Sequence, residues 1–256
     1  TEFEDAARVG RVIAAIWGEE SVLAPPLVRA FQHAGSILFG ATAADGELVG
    51  FVFGFLGFGE GVHVHSHMLA VLPNWQARGA GHALKLAQRA ACLDHGIDDI
   101  RWTYDPLVAR NARFNLVKLG AVASRFLPEF YGEMNDLLNR GDRSDRFEIR
   151  WRLSADRVER AVRRELEEPA RGDAVLEAVG DGDSPRPHPT EATPVPGATV
   201  AIPPDFSSLR ARDAGLGRAW REASGEAFEA CFAAGLKAVW MTKDSTYIFA
   251  KPTEAR

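Results

Sequence analysis

Val71-Leu72-Pro73-Asn74-Trp75-Gln76-Ala77-Arg78-Gly79-Ala80-Gly81-His82-Ala83-Leu84 is the stretch on which the fold turns. An apolar run ends at Val71, Pro73 breaks it, and a glycine-bearing turn opens an apolar helical pattern. The first N–H groups of a helix have no intrahelical partner and lie at the positive end of its dipole, so they form a cradle for an anion. Gly79 and Gly81 allow a phosphate to approach the backbone, and Arg78 adds a fixed positive charge. A Walker A loop is excluded by the missing G-K-[ST]. A dinucleotide fold is disfavoured because the preceding strands read as hairpins and not as a βαβ unit. A turn that only tightens packing is the alternative.

Upstream, Val9, Val12, Ile13 and Ile16 recur at helical spacing, as do Leu27, Ala30, Phe31 and Ala34 after Pro25-Pro26. Two amphipathic helices therefore come first. Gly35 ends the second, and strands at 36–42 and 47–58 are joined by the turn pair Asp45-Gly46. A third strand at 62–72 closes an antiparallel meander. Downstream, Ala80, Ala83, Leu84, Ala87 and Ala91 give the next helix a small-residue face fit for close packing on a sheet. A strand at 100–104, a helix at 111–119 stopped by Gly120, and strands at 121–127 and 147–153 complete the order ααβββαβαββ.

Residues 154–198 read as a charged helix to about Leu166 followed by a linker, since 181–197 carry five of the fourteen prolines. In 199–256 the pattern predicts an edge strand at 202–204, a helix at 207–234 broken at Gly215 or Gly225, and a hairpin around Lys243-Asp244-Ser245. This tail has too little apolar content to stand alone. It is expected to dock on the first domain, 1–153, or on a second subunit, so a homodimer is among the expectations.

The spacing Q-x-R-G-x-G at Gln76, Arg78, Gly79 and Gly81, after an apolar strand and before an apolar helix, resembles the pyrophosphate loop of the GNAT superfamily of N-acyltransferases. The resemblance covers about residues 6–153. More narrowly the chain is similar to a group of predicted acetyltransferases of that superfamily with a C-terminal extension, some of which acylate amino acids. The fold it implies is α/β (α+β): a mixed, mostly antiparallel sheet flanked by helices, here with a C-terminal helix-plus-hairpin extension. It implies acetyl-CoA or another acyl-CoA as cosubstrate and a primary amine as acceptor, a small molecule or amino acid. By resemblance Ala77, Arg78, Gly79, Ala80, Gly81 and His82 hold the pyrophosphate, and the strand ending at Val71 pairs with the pantetheine arm. A bulge splays that strand from the next, and a backbone N–H near Leu69 faces the thioester carbonyl. Asn111 resembles the asparagine that contacts pantetheine.

His63, His65 and His67 alternate along one strand, so three of the seven histidines share a face. A solvated face is one reading. By resemblance the general base stands on this strand at or beside His65, usually as a carboxylate, so His65 and His67 are the candidates. An imidazole near ~6.5 suits an α-amino group near ~8 better than a lysine amine near ~10.4. The tyrosine that protonates the leaving thiolate in many members is replaced by Leu116 here, which leaves Tyr131 as the candidate acid. Tyr131 equally suits a pocket cap or the core. Trp102 and Tyr104 read as core or cleft walls, Arg125 and Arg146 as surface groups able to hold a carboxylate, and 141–145 as a turn.

A net charge of −5 argues against nucleic acid or an anionic membrane as partner. The longest apolar run, 48–58, is interrupted by three glycines and is shorter than the ~20 residues a bilayer needs. The acidic start lacks the features of a signal peptide, so the cytoplasm is the default compartment. Cys92 and Cys231 stand apart inside helical patterns, and no metal is expected. A non-catalytic acyl-CoA-binding module and a protein N-acetyltransferase are the rival functions.

Overall fold

The computed structural model describes residues 2–134, 136, 140–180, 182 and 184–251. Contacts divide the chain into two compact units, Thr1–Trp102 with Met134–Gly141, and Thr103–Glu133 with Asp142–Arg256. The mixed α/β fold, with a mostly antiparallel sheet and flanking helices, agrees with the expected class.

The first unit opens with α1 (Glu2–Trp17) and α2 (Pro25–His33). The meander follows as β1 (Ile37–Thr42), β2 (Leu48–Gly57) and β3 (His63–Val71), all antiparallel. At the β1–β2 turn Gly46 has φ +85°, and the Asp45 carboxylate accepts the Glu47 N–H at 3.0 Å. These are the roles the turn pair required. After α3 (Ala80–Asp94), β4 (Asp99–Tyr104) starts in this unit and pairs in parallel with β3 at Val64–Ile100 and His65–Arg101. Val9, Val12 and Ile13 of α1 pack with Phe51, Phe53 and Ala70 on one face. Each of the Val, Ile and Phe side chains among them contributes ~1.5–3 kcal/mol on burial. Against the other face α3 approaches so closely that a Cβ on Gly54 would lie 2.9 Å from Gln88 Nε2.

Two helix faces differ from expectation. In α2 it is Val28 that is buried, with Phe31 packed beside the core, while Leu27, Ala30 and Ala34 are exposed. In α3 the buried positions are Leu84, Lys85, Gln88 and Cys92, and Ala83 and Ala87 face solvent. Residues 85, 88 and 92 form their own helical stripe, and a sheet face floored by glycine admits longer side chains than a small-residue seam would.

In the second unit the described strands run in the order β6-β5-β10-β11-β9-β7-β8. They are β5 (Val122–Leu127), β6 (Arg146–Arg152), β7 (Ala174–Val179), β8 (Arg186–Pro189), β9 (Thr199–Ala201), β10 (Lys237–Met241) and β11 (Thr246–Ala250). Its helices are α4 (Ala109–Arg113), continued by a π turn at Phe114–Lys118, then α5 (Asp156–Val162), α6 (Phe206–Arg212) and α7 (Ala214–Ala233). Gly120, at φ +70°, ends the helix–π-turn segment. Phe147, Phe228, Tyr247 and Phe249 form the aromatic centre, with Phe147 and Phe228 4.6 Å apart.

The tail is built into this sheet, with β10 antiparallel to β5 at Ala238–Ala123. Three details correct the sequence reading. The stretch taken as a linker contains β8, where Pro187 and Pro189 are tolerated because β8 is the last strand of its sheet. The strand expected at 202–204 lies at Thr199–Ala201 and is interior, between β11 and β7. The long helix breaks at Asp213, whose carboxylate caps α7 by accepting the Leu216 N–H, while Gly225 stays helical.

Candidate active site

The loop between β3 and α3 has the local geometry its residues demand. A short 3₁₀ turn, Pro73–Trp75, follows β3, and Gln76 Nε2 reaches back to the Val71 carbonyl at 3.0 Å. Gln76 therefore ties the loop to the strand end. Ala77 and Gly79 both have positive φ, +60° and +94°, which turns the backbone into the helix. The first helical bond runs from the Ala83 N–H to the Gly79 carbonyl, and no side chain caps the start. Ala80 and Gly81 thus present N–H groups at the positive end of α3. A Cβ at Gly79 would meet nothing within 4 Å, so the space over the loop is open. Gly81 lies over Val71 and Leu69, its virtual Cβ being 3.6 Å from the Val71 methyl. Arg78 is exposed, its guanidinium 5.3 Å from the Trp75 ring centre.

On β3, Phe53 pairs with Met68 but Gly54 pairs with Ser66, so His67 is the extra residue of a β-bulge. Leu69 and Val71 follow it, paired with Val52 and Gly50. From Ser66 onward the ladder recorded for β3 is with β2.

The histidine row divides into different environments. His63 is buried, its ring packed on Gly57 and its Nδ1 3.0 Å from the Gly61 carbonyl, which gives it a structural role. His65 is half-buried and His67 exposed, with their ring centres 6.2 Å apart. Both lie beside Phe55, at 5.4 and 5.9 Å. Burial lowers the His65 pKa to about 4, helped by His67, His63 and Lys85 nearby. Partial desolvation also lowers that of His67, although its side chain reaches solvent. Neither keeps the ordinary value that the sequence reading assumed, and both shifts favour the neutral imidazole.

Sequence reasoning missed a buried polar cluster on the opposite face of β3. Lys85 Nζ donates to Ser66 Oγ and Gln88 Oε1, both at 2.9 Å, and lies 3.8 Å above the Trp102 ring. Burial pushes the Lys85 pKa down to about 7. The only signal available was the 85–88–92 spacing, and a Lys-Gln pair on a helix ordinarily reads as its wet side.

Asn111 and Tyr131 belong to the second unit. Asn111 is exposed on α4, and its N–H bonds to the Val108 carbonyl. The Tyr131 hydroxyl lies 3.0 Å from Thr103 Oγ1, its N–H donates to Ser144 Oγ, and the Arg146 guanidinium stands 5.4 Å from its ring centre. Arg146 is itself buried and donates to the Asp145 carbonyl, whereas Arg125 is exposed beside Glu148. Residues 142–145 are more than a turn. Asp142 accepts from Arg221 and pairs with Arg210, and buried Asp145 accepts from Arg143 and the Glu129 N–H. Among the described residues no three His, Cys, Asp or Glu side chains converge on a metal position, and no helix is long and apolar enough to cross a membrane.

Residues 11–115 match the sequence model of the acetyltransferase (GNAT) family. No curated protein sequence matches the chain. Among solved structures, a GNAT-family protein from Desulfovibrio desulfuricans is 22% identical, over 59% of this chain and 94% of its own, with a TM-score of 0.48. YncA from Salmonella typhimurium, solved with its cofactor acetyl-CoA, is 18% identical over 60% and 91%, with a TM-score of 0.49. The ribosomal-protein-S18-alanine N-acetyltransferase of Escherichia coli is 15% identical over 59% and 89%, with a TM-score of 0.47.

Proposed function

Since residues 11–115 form a domain of the acetyltransferase (GNAT) family, we propose that this protein moves an acetyl or other short acyl group from acyl-CoA to the primary amine of a small molecule or amino acid. The observation that carries this reading is the uncapped start of α3 under an open Gly79, beside exposed Arg78, within the matched stretch. A pyrophosphate placed there meets the backbone N–H groups of Ala77 to His82 and one guanidinium, a donor set suited to an anion.

The edge of β3 beyond His65 is the assigned place for the pantetheine arm, with Leu69 and Val71 contributing backbone groups. A backbone N–H near Leu69 donates to the thioester oxygen as it gains charge. A neutral imidazole, His67 or His65, takes a proton from the incoming amine. Of the two we favour His67, because it occupies the bulge and faces solvent. Asn111, as pantetheine contact, and Tyr131, as acid for the leaving thiol, enter the reading through the sequence alone.

A free-thiol assay with acetyl-CoA and an amine panel tests it. Amine-dependent CoA release is expected. Binding without release would identify a non-catalytic acyl-CoA module, and a mass gain on a protein and not on any amine would identify a protein N-acetyltransferase.

A further inference from the structure

On the face of the first unit's sheet that carries α1 and α2, five rings run side by side. Phe31 of α2 meets Phe53 edge-on at 5.0 Å and stacks on Phe55 at 5.7 Å. Phe55 then touches His65 and His67, and Phe53 lies 6.0 Å from His67. The row grades from the buried Phe53 through half-buried Phe31, Phe55 and His65 to exposed His67, so it carries an aromatic surface from the core to the bulge.

The row is also free of acid. The titratable groups that act on His65 are His67, His63 and Lys85, all of them bases. Among the described residues neither imidazole pairs with a carboxylate, and no Lys or Arg stacks on any of the five rings. A polycationic acceptor is held best by carboxylates, and among the described residues none pairs with either imidazole. An apolar or aromatic group gains contact along the whole row.

Resting on the acyltransferase reading, we infer that the acceptor is a monoamine borne on an aromatic or branched apolar group, which lies against Phe31 and Phe55 with its nitrogen toward His65 and His67. The preference comes from the ring row and not from a charged specificity pocket.

The experiment compares kcat/KM for 2-phenylethylamine, isopentylamine, ethanolamine and spermidine at saturating acetyl-CoA, in the full chain and in Phe55→Ala and Phe55→Leu. 2-Phenylethylamine should exceed ethanolamine and spermidine by about tenfold or more, and that ratio should fall by about tenfold in Phe55→Ala. Phe55→Leu keeps the bulk, so a partial fall in a variant with wild-type circular dichroism separates lost ring contact from misfolding. Preference for spermidine or ethanolamine, or an unchanged ratio in folded variants, overturns the inference and leaves the acyltransferase reading intact. Should no amine be turned over, that reading fails, and NMR of the His65 and His67 imidazoles decides the subsite. Shifts on titration with 2-phenylethylamine alone support it, and unmoved resonances overturn it.

Discussion

Lys85 offers a sharp test of how the first unit is packed. Its ammonium is surrounded by Ser66, Gln88 and the Trp102 ring, and burial lowers its pKa from the usual 10.5 to about 7. The folded pKa therefore lies below the unfolded one. Between those two values the unfolded chain holds a proton that the folded chain has shed, so stability rises with pH across the window and levels off only near the unfolded pKa. At ~1.36 kcal/mol per unit, the full span is worth about 5 kcal/mol. Between about pH 7 and 8.5, with half-titration at the lower end, the gain is roughly 2 kcal/mol.

Buried Cys92 and Cys231 have raised pKa values and oppose this trend, but only as the unfolded thiols ionise near pH 9. The measurement is thus confined to pH 7–8.5 and made as a difference against Lys85→Met. Methionine keeps the length, and the lost hydrogen bonds cost a pH-independent ~1–3 kcal/mol. Urea unfolding of the full chain, followed by tryptophan fluorescence, should show the wild type gaining about 2 kcal/mol on Lys85→Met over that range. Parallel stability curves would mean that Lys85 titrates as an ordinary surface lysine and that the buried cluster is wrong.

The site makes three further predictions. Gly79→Asp puts a carboxylate at φ +94° on the anion cradle and should weaken acetyl-CoA binding by about a hundredfold or more in calorimetry; unchanged affinity in a folded variant would remove the loop from cofactor binding. An imidazole acts as base above its pKa, so the acid limb of kcat/KM should fall below pH 6.5, toward about 4 if His65 is the base. That limb should move in His67→Gln or His65→Gln, and profiles superimposable on wild type in both would take the histidines out of the mechanism. Tyr131→Phe should lower kcat by about ten- to a hundredfold with acyl-CoA affinity nearly unchanged, because a thiolate of pKa ~8.5 leaves tolerably unprotonated; wild-type kcat with chemistry rate-limiting would give the proton to another donor.

The elements of the first unit were legible because their signals are local. Pro25-Pro26 starts α2, Asp45-Gly46 turns β1 into β2, and Pro73 with Gly79 separates β3 from α3. Faces were harder. Periodicity assigns a helix a stripe but not which stripe meets the sheet, and Gly54 of β2 leaves the room that Gln88 fills. The tail's strands add to the sheet through β5 and β10, in keeping with a tail that does not stand alone. Its apolar residues are few in sequence, yet Phe228, Tyr247 and Phe249 converge on one centre with Phe147, and Trp220 is fully buried with its Nε1 donating to the Pro185 carbonyl. β8 escaped notice because prolines argue against a strand unless it is the last one. For the candidate site, the loop motif and the histidine row could be read directly. The bulge at His67 could not, because alternation in sequence is blind to an inserted residue, and neither could the desolvation that lowers both imidazoles.

The central claim is transfer of an acyl group to an amine, and mass spectrometry of the amine is its most direct test. Incubation of the full chain with acetyl-CoA and 2-phenylethylamine should give the N-acetyl amine in equal amount to the CoA thiol released, with neither formed by a Gly79→Asp variant. Thiol release without acetylated amine, or equal product with that variant, would contradict the account.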